Sequence, residues 1–253
     1  MSDELDEQAP AGSPIRVVTF NAQHGKAAPP ARPPRPHFLR GGTELVVDFC
    51  ADLGADLLAL QEVDVRVPRS GCADQAAAAA RASGMGHAFG PARRVGWKGR
   101  YGNALLSADG LEDVEVLALP RGAGEPRSAL LATVVRGGLR LAVAATHLST
   151  RRDEVRPQLD AVIEALVARP QPQVLLGDLN LGPEVVGPAV EAAGLVLADP
   201  AEPTYPAATP RSRIDHVAVS GLTITDVRVL PPAPVSDHRA LRVEVVTETR
   251  GSR

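Results

Sequence analysis

The sequence predicts an α/β fold in which two β-sheets pack together and helices cover their outer faces. Short β-rich runs recur through most of the 253 residues, and helical patterning is confined to a few longer segments. The two kinds of segment do not alternate strictly, which disfavours a doubly wound parallel sheet. Apolar residues make up 44% of the chain and aromatic residues only 3%, so the predicted core is aliphatic.

The predicted strands are short, and several of them end in a polar residue. The first ends at Asn21, the second at Glu62 and a later one at His147. Runs of β-branched and apolar residues bounded by Gly, Pro, Asn or Ser are typical of such strands. The predicted strands cover residues 15–21, 57–62, 103–107, 114–119, 129–135, 139–147, 174–178, 214–219, 223–230 and 240–246.

Helical spacing of apolar residues occurs between the strands. The predicted helices cover residues 43–53, 74–83, 153–168 and 184–193. Thr43 and Asp74 resemble helix caps, because a short oxygen side chain can accept hydrogen bonds from the first free amides. Two cysteines, Cys50 and Cys72, are too few for a disulfide scaffold or a four-sulfur zinc site, which favours a reducing compartment.

We expect one domain, residues 15–247, between two polar ends. Residues 1–14 carry four acidic residues and no basic one, and they are expected to form a disordered acidic tail. Residues 27–42 hold five prolines, which cannot donate backbone hydrogen bonds, and are expected to be an inserted Pro-rich loop. Residues 248–253 form a second tail. Without a secretory signal or a long apolar run, we expect a cytoplasmic protein with no stable membrane insertion.

The charge distribution limits the binding partners. A net charge of −3 argues against a surface that grips nucleic acid everywhere, although it allows a local basic patch. Two interpretations of the basic segment 66–100 stay open: solvated loops with a helix face, or a rim that binds an anionic substrate. Its charged residues are Arg66, Arg69, Arg81, Arg93, Arg94, Lys98 and Arg100, against the single acid Asp74.

Acidic residues at strand ends are the main functional signal. These residues are Glu62, Asp178, Asp215 and Asp237. If they converge, their mutual repulsion is tolerable only when a cation or histidines neutralise it. Oxygen ligands without cysteine suit Mg²⁺ or Mn²⁺, and His147 and His238 can move protons. Asp178 and Asn180 are two residues apart, so along a strand they would face the same side. This set of groups suits the hydrolysis of a phosphate ester.

Seven short motifs resemble the endonuclease/exonuclease/phosphatase superfamily, and they occur in the order typical of that superfamily. The resemblance implies a DNase I-like, four-layered α/β/β/α sandwich of two mixed β-sheets flanked by helices. Residues 69–75 and 102–107 resemble blocks of an uncharacterised bacterial branch. The motifs are Thr19-Phe20-Asn21, Leu60-Gln61-Glu62-Val63-Asp64, Tyr101-Gly102-Asn103, Thr146-His147-Leu148, Gly177-Asp178-Leu179-Asn180, Ile214-Asp215 and Ser236-Asp237-His238.

The resemblance also implies a role for each catalytic residue. Asp178 resembles the carboxylate that positions or deprotonates the attacking water. Asn180 would donate to phosphoryl oxygens as charge develops. Asp215 would hold His238 in one tautomer, as a triad acid orients its histidine. His147 matches a second histidine of the DNase I and sphingomyelinase branches.

The metal and the substrate are assigned by the same resemblance. Glu62 resembles the principal ligand of Mg²⁺, with Mn²⁺ as a substitute, and Asn21 and Asp237 lie beside it. Asn103 and Tyr101 are expected at the phosphate pocket. The basic segment adds Arg69 and Arg100 as candidate substrate-binding residues. His24 follows the first motif and either contacts substrate or lines a loop.

The favoured interpretation is a metal-dependent hydrolase of phosphate esters, most simply a phosphodiesterase or nuclease-like enzyme that uses in-line attack by water. His147 favours diesters. Alternatives are a phosphomonoesterase acting on a lipid or small-molecule phosphate, and a non-catalytic phosphate-binding module of the same fold. A zinc hydrolase is disfavoured because the histidines lack zinc-ligand spacing. The expected partner is the phosphate-ester substrate, and no obligate protein partner is inferred.

Overall fold

The computed structural model of the protein describes residues 13–26 and 42–247. The expected acidic tail, Pro-rich loop and C-terminal tail lie outside these residues, except for residues 13, 14 and 42. No helix within the described ranges is long and apolar enough to cross a membrane.

The first sheet contains the two ends of the described chain. Its strand order is β11-β12-β1-β2-β4-β3, with β1 and β2 parallel and the other neighbours antiparallel. Its strands are β1 (Ile15–Asn21), β2 (Leu57–Val65), β3 (Gly86–Val95), β4 (Gly99–Ser107), β11 (Leu222–Val229) and β12 (Leu241–Thr247).

The second sheet is built from the middle of the chain. Its strand order is β5-β6-β7-β8-β10-β9, and only β7 and β8 are parallel. Its strands are β5 (Glu112–Ala118), β6 (Ser128–Arg136), β7 (Leu139–His147), β8 (Gln173–Asp178), β9 (Val196–Leu197) and β10 (Asp215–Ser220).

In the described part of the chain, four α-helices cover the outer faces of the two sheets, as the sequence predicts. Phe20 and Leu60 of the first sheet pack with Val46 of the first helix. Leu175 of the second sheet packs with Leu159 of the third. The helices are α1 (Gly42–Asp52), α2 (Gln75–Ser83), α3 (Arg152–Val167) and α4 (Pro183–Glu191). The predicted four-layered α/β/β/α sandwich is confirmed.

Aliphatic side chains from both sheets fill the space between them. Val17 and Leu105 of the first sheet meet Leu130, Val143 and Leu176 of the second, and all five are essentially inaccessible to solvent. Burial of such side chains stabilises a fold by about 1.5–3 kcal/mol each. The two sheets are therefore fixed against each other, and the polar residues at their edges are held in place.

The largest difference from the predicted elements is β3, which the sequence analysis treats as loop and helix face. This strand contains Gly86, Gly90 and Pro91, and most of its residues are partly exposed. It forms an edge of the first sheet, where proline is tolerated, and its register with β4 shifts between Pro91 and Arg93. The strand β9 is not predicted either, because two residues are too few to show an alternating pattern. Glycine, proline and polar residues at a sheet edge give no apolar alternation.

The two predicted helix caps have different outcomes. Asp74 caps α2, because its carboxylate accepts the Ala77 N–H at 2.9 Å. The prediction for Thr43 is wrong. Thr43 lies inside α1, and its hydroxyl donates to the Ser70 carbonyl at 3.0 Å. The hydroxyl is thus used to connect α1 to the segment that follows β2.

Candidate active site

The two parallel strand pairs bring the polar strand ends together. Asn21 ends β1, while His147 and Asp178 end β7 and β8 side by side. Since the carboxyl ends of parallel strands meet at one edge of a sheet, each sheet presents its polar residues at the same end of the sandwich. Asp215 begins the antiparallel strand β10, directly opposite Asp178. This edge is the candidate active site.

Asn21 connects the two sheets at this edge. Its side-chain nitrogen donates to Glu62 Oε1 at 3.1 Å and to Asp178 Oδ2 at 3.0 Å. Its side-chain oxygen accepts the Gln23 N–H at 3.0 Å. One buried amide therefore holds two carboxylates that come from different sheets, although like charges repel at this separation.

Glu62 lies in a bulge of β2 and not at the end of the strand as predicted. The strand continues to Val65, and its register with β4 shifts between Leu60 and Val63. Glu62 has φ 58°, which costs about 1–3 kcal/mol for a residue other than glycine. The bulge turns the Glu62 side chain toward the site.

The electrostatic environment keeps Glu62 charged. Burial opposes the charge of its carboxylate, but His24, His147 and Asn21 outweigh burial and lower its pKa to about 2. His24 Nδ1 lies 3.9 Å from Glu62 Oε2, which places His24 at the site. Glu62 is therefore an anion at neutral pH.

Asp178, Asp215 and His238 form a buried cluster. His238 Nδ1 lies 2.9 Å from Asp215 Oδ2, and His238 Nε2 lies 3.7 Å from Asp178 Oδ2. Burial opposes a charge on His238, but Asp215 and then Asp178 raise its pKa to about 10. Burial and the Asp215 charge raise the pKa of Asp178. Asp178 is therefore a better proton acceptor than an ordinary aspartate.

His147 is held between Arg127 and Asp178. Its Nδ1 lies 3.1 Å from Arg127 Nη1, and its Nε2 lies 3.4 Å from Asp178 Oδ2. A guanidinium can only donate, so Nδ1 accepts and the hydrogen of the neutral ring is on Nε2. Burial and the Arg127 charge lower the pKa of His147 to about 3. His147 is therefore a neutral donor toward Asp178.

The sequence analysis does not identify Arg127. Arg127 directly precedes β6, in which Ala129 pairs with Thr146 of β7. Extending this antiparallel register by one or two residues places Arg127 beside His147. One feature of the sequence could have indicated Arg127. It is a basic residue at the start of an apolar strand, and that strand pairs with one that ends in a histidine.

Asn180 does not follow the strand alternation expected for it. Strand β8 ends at Asp178, and Asn180 has φ 51°. Its backbone N–H donates to Asp178 Oδ1 at 3.1 Å, and its side-chain nitrogen donates to the Leu148 carbonyl at 3.0 Å. Asn180 still lies beside Asp178, because a tight turn brings it there.

Ser236 and Asp237 belong to the segment that precedes β12. The Ser236 hydroxyl donates to the Asn21 carbonyl and accepts the His238 N–H at 3.0 Å. Asp237 is partly exposed, and its Oδ1 lies 4.0 Å from His238 Nε2. Asp237, the expected metal ligand, is thus at the open side of the site. Ser236, which the sequence analysis names only as part of a motif, connects this segment to β1.

Two of the four candidate substrate-binding residues face the site. Tyr101 is buried against Glu62, and burial, followed by the charge of Glu62, raises the pKa of its hydroxyl. Asn103 is also buried, and its side-chain nitrogen donates to the Ser128 carbonyl at 2.8 Å. Arg69 makes two hydrogen bonds to Asp64, at 2.8 and 2.9 Å, with its guanidinium carbon 5.5 Å from the centre of the Tyr101 ring. Arg69 therefore supports Tyr101.

Arg100 lies on the other face of the first sheet. Strand alternation places Arg100 with Ala104 and Leu106, which pack toward α1 and α2. Tyr101 and Leu105 occupy the opposite face, and Leu105 belongs to the core between the sheets. The structure does not bring Arg100 to the candidate active site.

The donor set fits a hard divalent cation. The site offers an ionised carboxylate at Glu62 and carboxyl or amide oxygens from Asn21 and Asp237. Asp215 Oδ1 is buried and has no hydrogen-bond partner within the described part of the chain. Ligand atoms of Asp178, Asp215 and His238 also lie within 4.8 Å of one another, so they form a second possible cation group. The described residues therefore offer two candidate cation positions, one at Glu62 and one at this cluster.

The chain belongs to the endonuclease/exonuclease/phosphatase family, whose model matches residues 18–238. Members of this family are generally hydrolases of phosphate esters and are typically dependent on divalent metals. No curated protein sequence is significantly similar to the chain.

Solved structures of the same fold come from bacteria and animals. An endonuclease/exonuclease/phosphatase from Beutenbergia cavernae is 24% identical, with a TM-score of 0.70 over 92% of this chain and 72% of that one. A mannosyl-6-phosphatase from Bacteroides thetaiotaomicron is 17% identical, with a TM-score of 0.69 over 92% and 99%. The human Nocturnin catalytic domain, solved with a bound sulfate, is 20% identical, with a TM-score of 0.64 over 93% and 95%.

Proposed function

We propose that the protein is a Mg²⁺- or Mn²⁺-dependent phosphodiesterase that hydrolyses its substrate by in-line attack of water. The observation that carries this proposal is the convergence of Glu62 and Asp178 from separate sheets on the amide of Asn21, beside two buried histidines. Such a cluster of carboxylates is unfavourable unless a cation compensates for it. A module that only binds phosphate would have no use for it.

Glu62 would hold the cation, with Asn21 and Asp237 beside it. When bound, the metal neutralises charge on the phosphoryl oxygens and makes the phosphorus more electrophilic. Glu62 is ionised at neutral pH, so it is ready to bind without losing a proton.

Asp178 is the proposed base for the attacking water. Its raised pKa makes it a better proton acceptor than an ordinary aspartate. His147 donates from Nε2 toward the same carboxylate and orients it. Protonated His238, held by Asp215, lies on its other side and stabilises negative charge on the phosphoryl group.

Two amides complete the proposed phosphate pocket. The side-chain NH₂ groups of Asn180 and Asn103 have two hydrogens each. Each group donates one of them to a backbone carbonyl. The second hydrogen of Asn180 is available for a phosphoryl oxygen beside Asp178. Fixed donors of this kind cost no reorganisation during the reaction.

A phosphomonoesterase is the second candidate. Arg127 lies beside His147, and its Nε is buried with no hydrogen-bond partner among the described residues. A guanidinium at this position suits the two charges of a terminal phosphate.

The free thiols of Cys50 and Cys72 support action in the cytoplasm for either activity.

Hydrolysis of bis-(p-nitrophenyl) phosphate tests the proposal, with p-nitrophenyl phosphate as the monoester comparison. We expect activity with Mg²⁺ or Mn²⁺, none with EDTA, and a faster reaction of the diester. Glu62→Ala and His238→Ala are each expected to lower kcat by about 100-fold or more, because each removes a group that acts on the reacting phosphate.

The matched controls are Glu44→Ala and His87→Ala, which remove an exposed carboxylate and an exposed imidazole. Both controls should retain full activity, and circular dichroism should show all four variants folded. Undiminished turnover of the Glu62 and His238 variants would contradict the proposal. A faster reaction of the monoester would select the second candidate.

A further inference from the structure

A second concave surface lies on the outer face of the first sheet, away from the candidate active site. It is a cavity of about 500 Å³ between the β3–β4 hairpin and the start of α2. Val65 and Phe89 supply apolar surface to it, and Asp74 at the N-terminus of α2 is the one acidic residue among the described residues that line it. We refer to this cavity as the hairpin pocket.

Four cationic side chains line the hairpin pocket: Arg66, Arg94, Lys98 and Arg100. Within the described residues, no carboxylate lies within ion-pair distance of any of the four. Arg69, in the turn that follows β2, and Arg93, on the other face of β3, are instead paired with Asp64 and Glu125. The pocket thus concentrates uncompensated positive charge in a chain whose net charge is −3.

The single acid of the pocket does not offset this charge. Asp74 caps α2 by accepting the Ala77 N–H at 2.9 Å, and its one negative charge stands against four positive charges. Arg66 is fixed next to it, because its backbone N–H donates to the Ala73 carbonyl at 2.9 Å. The cations are therefore available to an anionic ligand.

Trp97 stands at the mouth of the pocket, at the turn between β3 and β4. It is 90% exposed, the largest exposed fraction among the bulky apolar residues described. Lys98 Nζ lies 5.2 Å from the centre of its ring. An exposed indole beside unpaired cations suits a ligand that combines a flat ring with negative charge.

We propose that the hairpin pocket binds a nucleotide, with its phosphates against Arg66, Arg94 and Arg100 and its base against Trp97. A simple inorganic anion would use the cations but not the apolar surface of Val65 and Phe89. A volume of about 500 Å³ lies in the range of pockets that take one small ligand. The nucleotide is either free or one unit of a single strand, since both present the same base and phosphate.

The hairpin pocket is separate from the catalytic chemistry. Arg100 and Arg94 pair across β4 and β3 on the outer face, whereas Tyr101 and Glu62 meet on the inner face. A ligand in the pocket therefore does not touch the reacting phosphate. The proposal stands independently of the proposed hydrolysis.

Intrinsic fluorescence provides a direct test, because Trp97 is the only tryptophan of the chain. The full chain, kept in EDTA so that turnover is suppressed, is titrated with ATP, with a ten-residue oligothymidylate and with inorganic tripolyphosphate. We expect saturable quenching by ATP or by the oligonucleotide, and weaker binding of tripolyphosphate. Comparison of the first two ligands distinguishes a free nucleotide from a strand.

Variants then locate the binding site. Replacing Arg94 and Arg100 together by alanine is expected to raise the Kd about tenfold or more, because two charge-assisted contacts are lost. Replacing the exposed Arg81 and Arg152 by alanine is the matched control and should leave the Kd unchanged. Hydrolysis of bis-(p-nitrophenyl) phosphate should be normal in both double variants.

Three results would overturn the proposal. The first is the absence of saturable quenching by ATP and by the oligonucleotide. The second is binding that the Arg94 and Arg100 substitutions do not weaken. The third is a blue shift of Trp97 emission with vesicles of phosphatidylserine and phosphatidylcholine but no response to nucleotides, which would assign the pocket to an anionic lipid surface.

Discussion

Single residues at the candidate site have connecting roles that the residue type alone does not indicate. Asn21 and Ser236 both make hydrogen bonds that join separate segments, and neither needs to change its protonation state to do so. Buried hydrogen bonds of this kind fix side-chain positions, and partial loss leaves unsatisfied groups. The geometry of the site therefore depends on residues that do not titrate.

Arg127 is expected to control the tautomer of His147. Arg127→Met removes the donor to His147 Nδ1, so the neutral ring is no longer fixed with its hydrogen on Nε2. We expect kcat to fall about tenfold or more, with partial recovery in Arg127→Lys, which keeps a donor. The tautomer of His147 can be measured by nitrogen NMR of the imidazole.

Arg121→Met, which changes an exposed arginine of the preceding segment, is the control for Arg127. The predicted outcome is a mixture of His147 tautomers in Arg127→Met and the Nε2–H form in the other proteins. Unchanged kcat together with an unchanged tautomer would show that Arg127 does not position His147.

The sequence correctly indicates which titratable residues belong to the site. It is less successful in placing the side chains around them. Asp215 and His238 are placed by the resemblance and lie at hydrogen-bond distance. Alternation along a strand misplaces Asn180, because β8 ends before it. Arg100 is assigned to the site from charge alone, whereas its register puts it on the opposite face. Residues on both faces of β4 are buried, so its sequence does not show which face meets the site.

At the scale of elements, the parallel pair β7–β8 depends on a glycine. Gly177 has φ 149°, and a Cβ added there would lie 2.0 Å from the Thr146 carbonyl oxygen. Backbone atoms cannot move aside as a flexible side chain can. The close approach of the strands therefore requires glycine immediately before Asp178.

Gly177→Ala is expected to destabilise the protein by about 2 kcal/mol or more, because the two strands must separate to admit the methyl group. Activity should fall as well, since His147 and Asp178 are adjacent across the same pair. Chemical denaturation measures the free energy of unfolding. A stability equal to that of the natural chain would refute this account of Gly177.

Gly187→Ala is the matched substitution for Gly177→Ala. Gly187 lies within α4, where an added Cβ meets only Leu197 Cδ2, at 3.9 Å. Alanine should be neutral or stabilise the protein by up to about 1 kcal/mol, since it favours helix over glycine. The pair of variants separates a steric cause from a general effect of adding a methyl group.

The elements themselves could be predicted wherever burial follows a simple pattern. The strands between the layers, such as β6, β7 and β8, have apolar sequences and were predicted within one or two residues. The bulge at Glu62 could not be predicted, because its cause is the pairing with β4 and not the local sequence. β3 could not be predicted either, because its own residues show no strand pattern and it is defined by its pairing with β4.

At the scale of the whole molecule, an ionic group joins the two sheets at the end remote from the site. Asp56 accepts from Arg16 of the first sheet, with Nε to Oδ2 at 3.0 Å. It also lies 3.2 Å from Arg136 Nη1, which belongs to the second sheet. The inner core and this group together keep the layers in register.

The stability provided by Asp56 should depend on pH. Burial opposes its charge, but hydrogen bonds from Arg16 and the charge of Arg136 outweigh burial, so the pKa of Asp56 lies below its ordinary value of 3.8. A carboxyl with a lowered pKa stabilises the folded state above the unfolded pKa and loses this effect as the pH falls through the folded pKa. Asp56→Asn should cost about 1–2 kcal/mol at pH 7, after allowance for the half-exposed Arg16.

Urea denaturation between pH 7 and pH 2.5 measures this difference. The gap between the natural chain and Asp56→Asn should be constant at neutral pH and shrink below about pH 4. Glu112→Gln, which breaks an exposed pair with Arg140, should change stability by less than about 0.5 kcal/mol. A gap that stays constant down to pH 2.5 would show that the Asp56 charge is not its cause.

The arrangement of the two sheets has a consequence for synthesis of the protein. The first sheet combines β1 and β2 with β11 and β12, and His238 lies just before the last of these. A ribosome releases β1 long before β12, so a growing chain has Glu62 and Asp178 without the imidazole that Asp215 holds. The pairing of Asp215 with His238 therefore forms only after translation has passed β12, and this edge of the sandwich is incomplete until then.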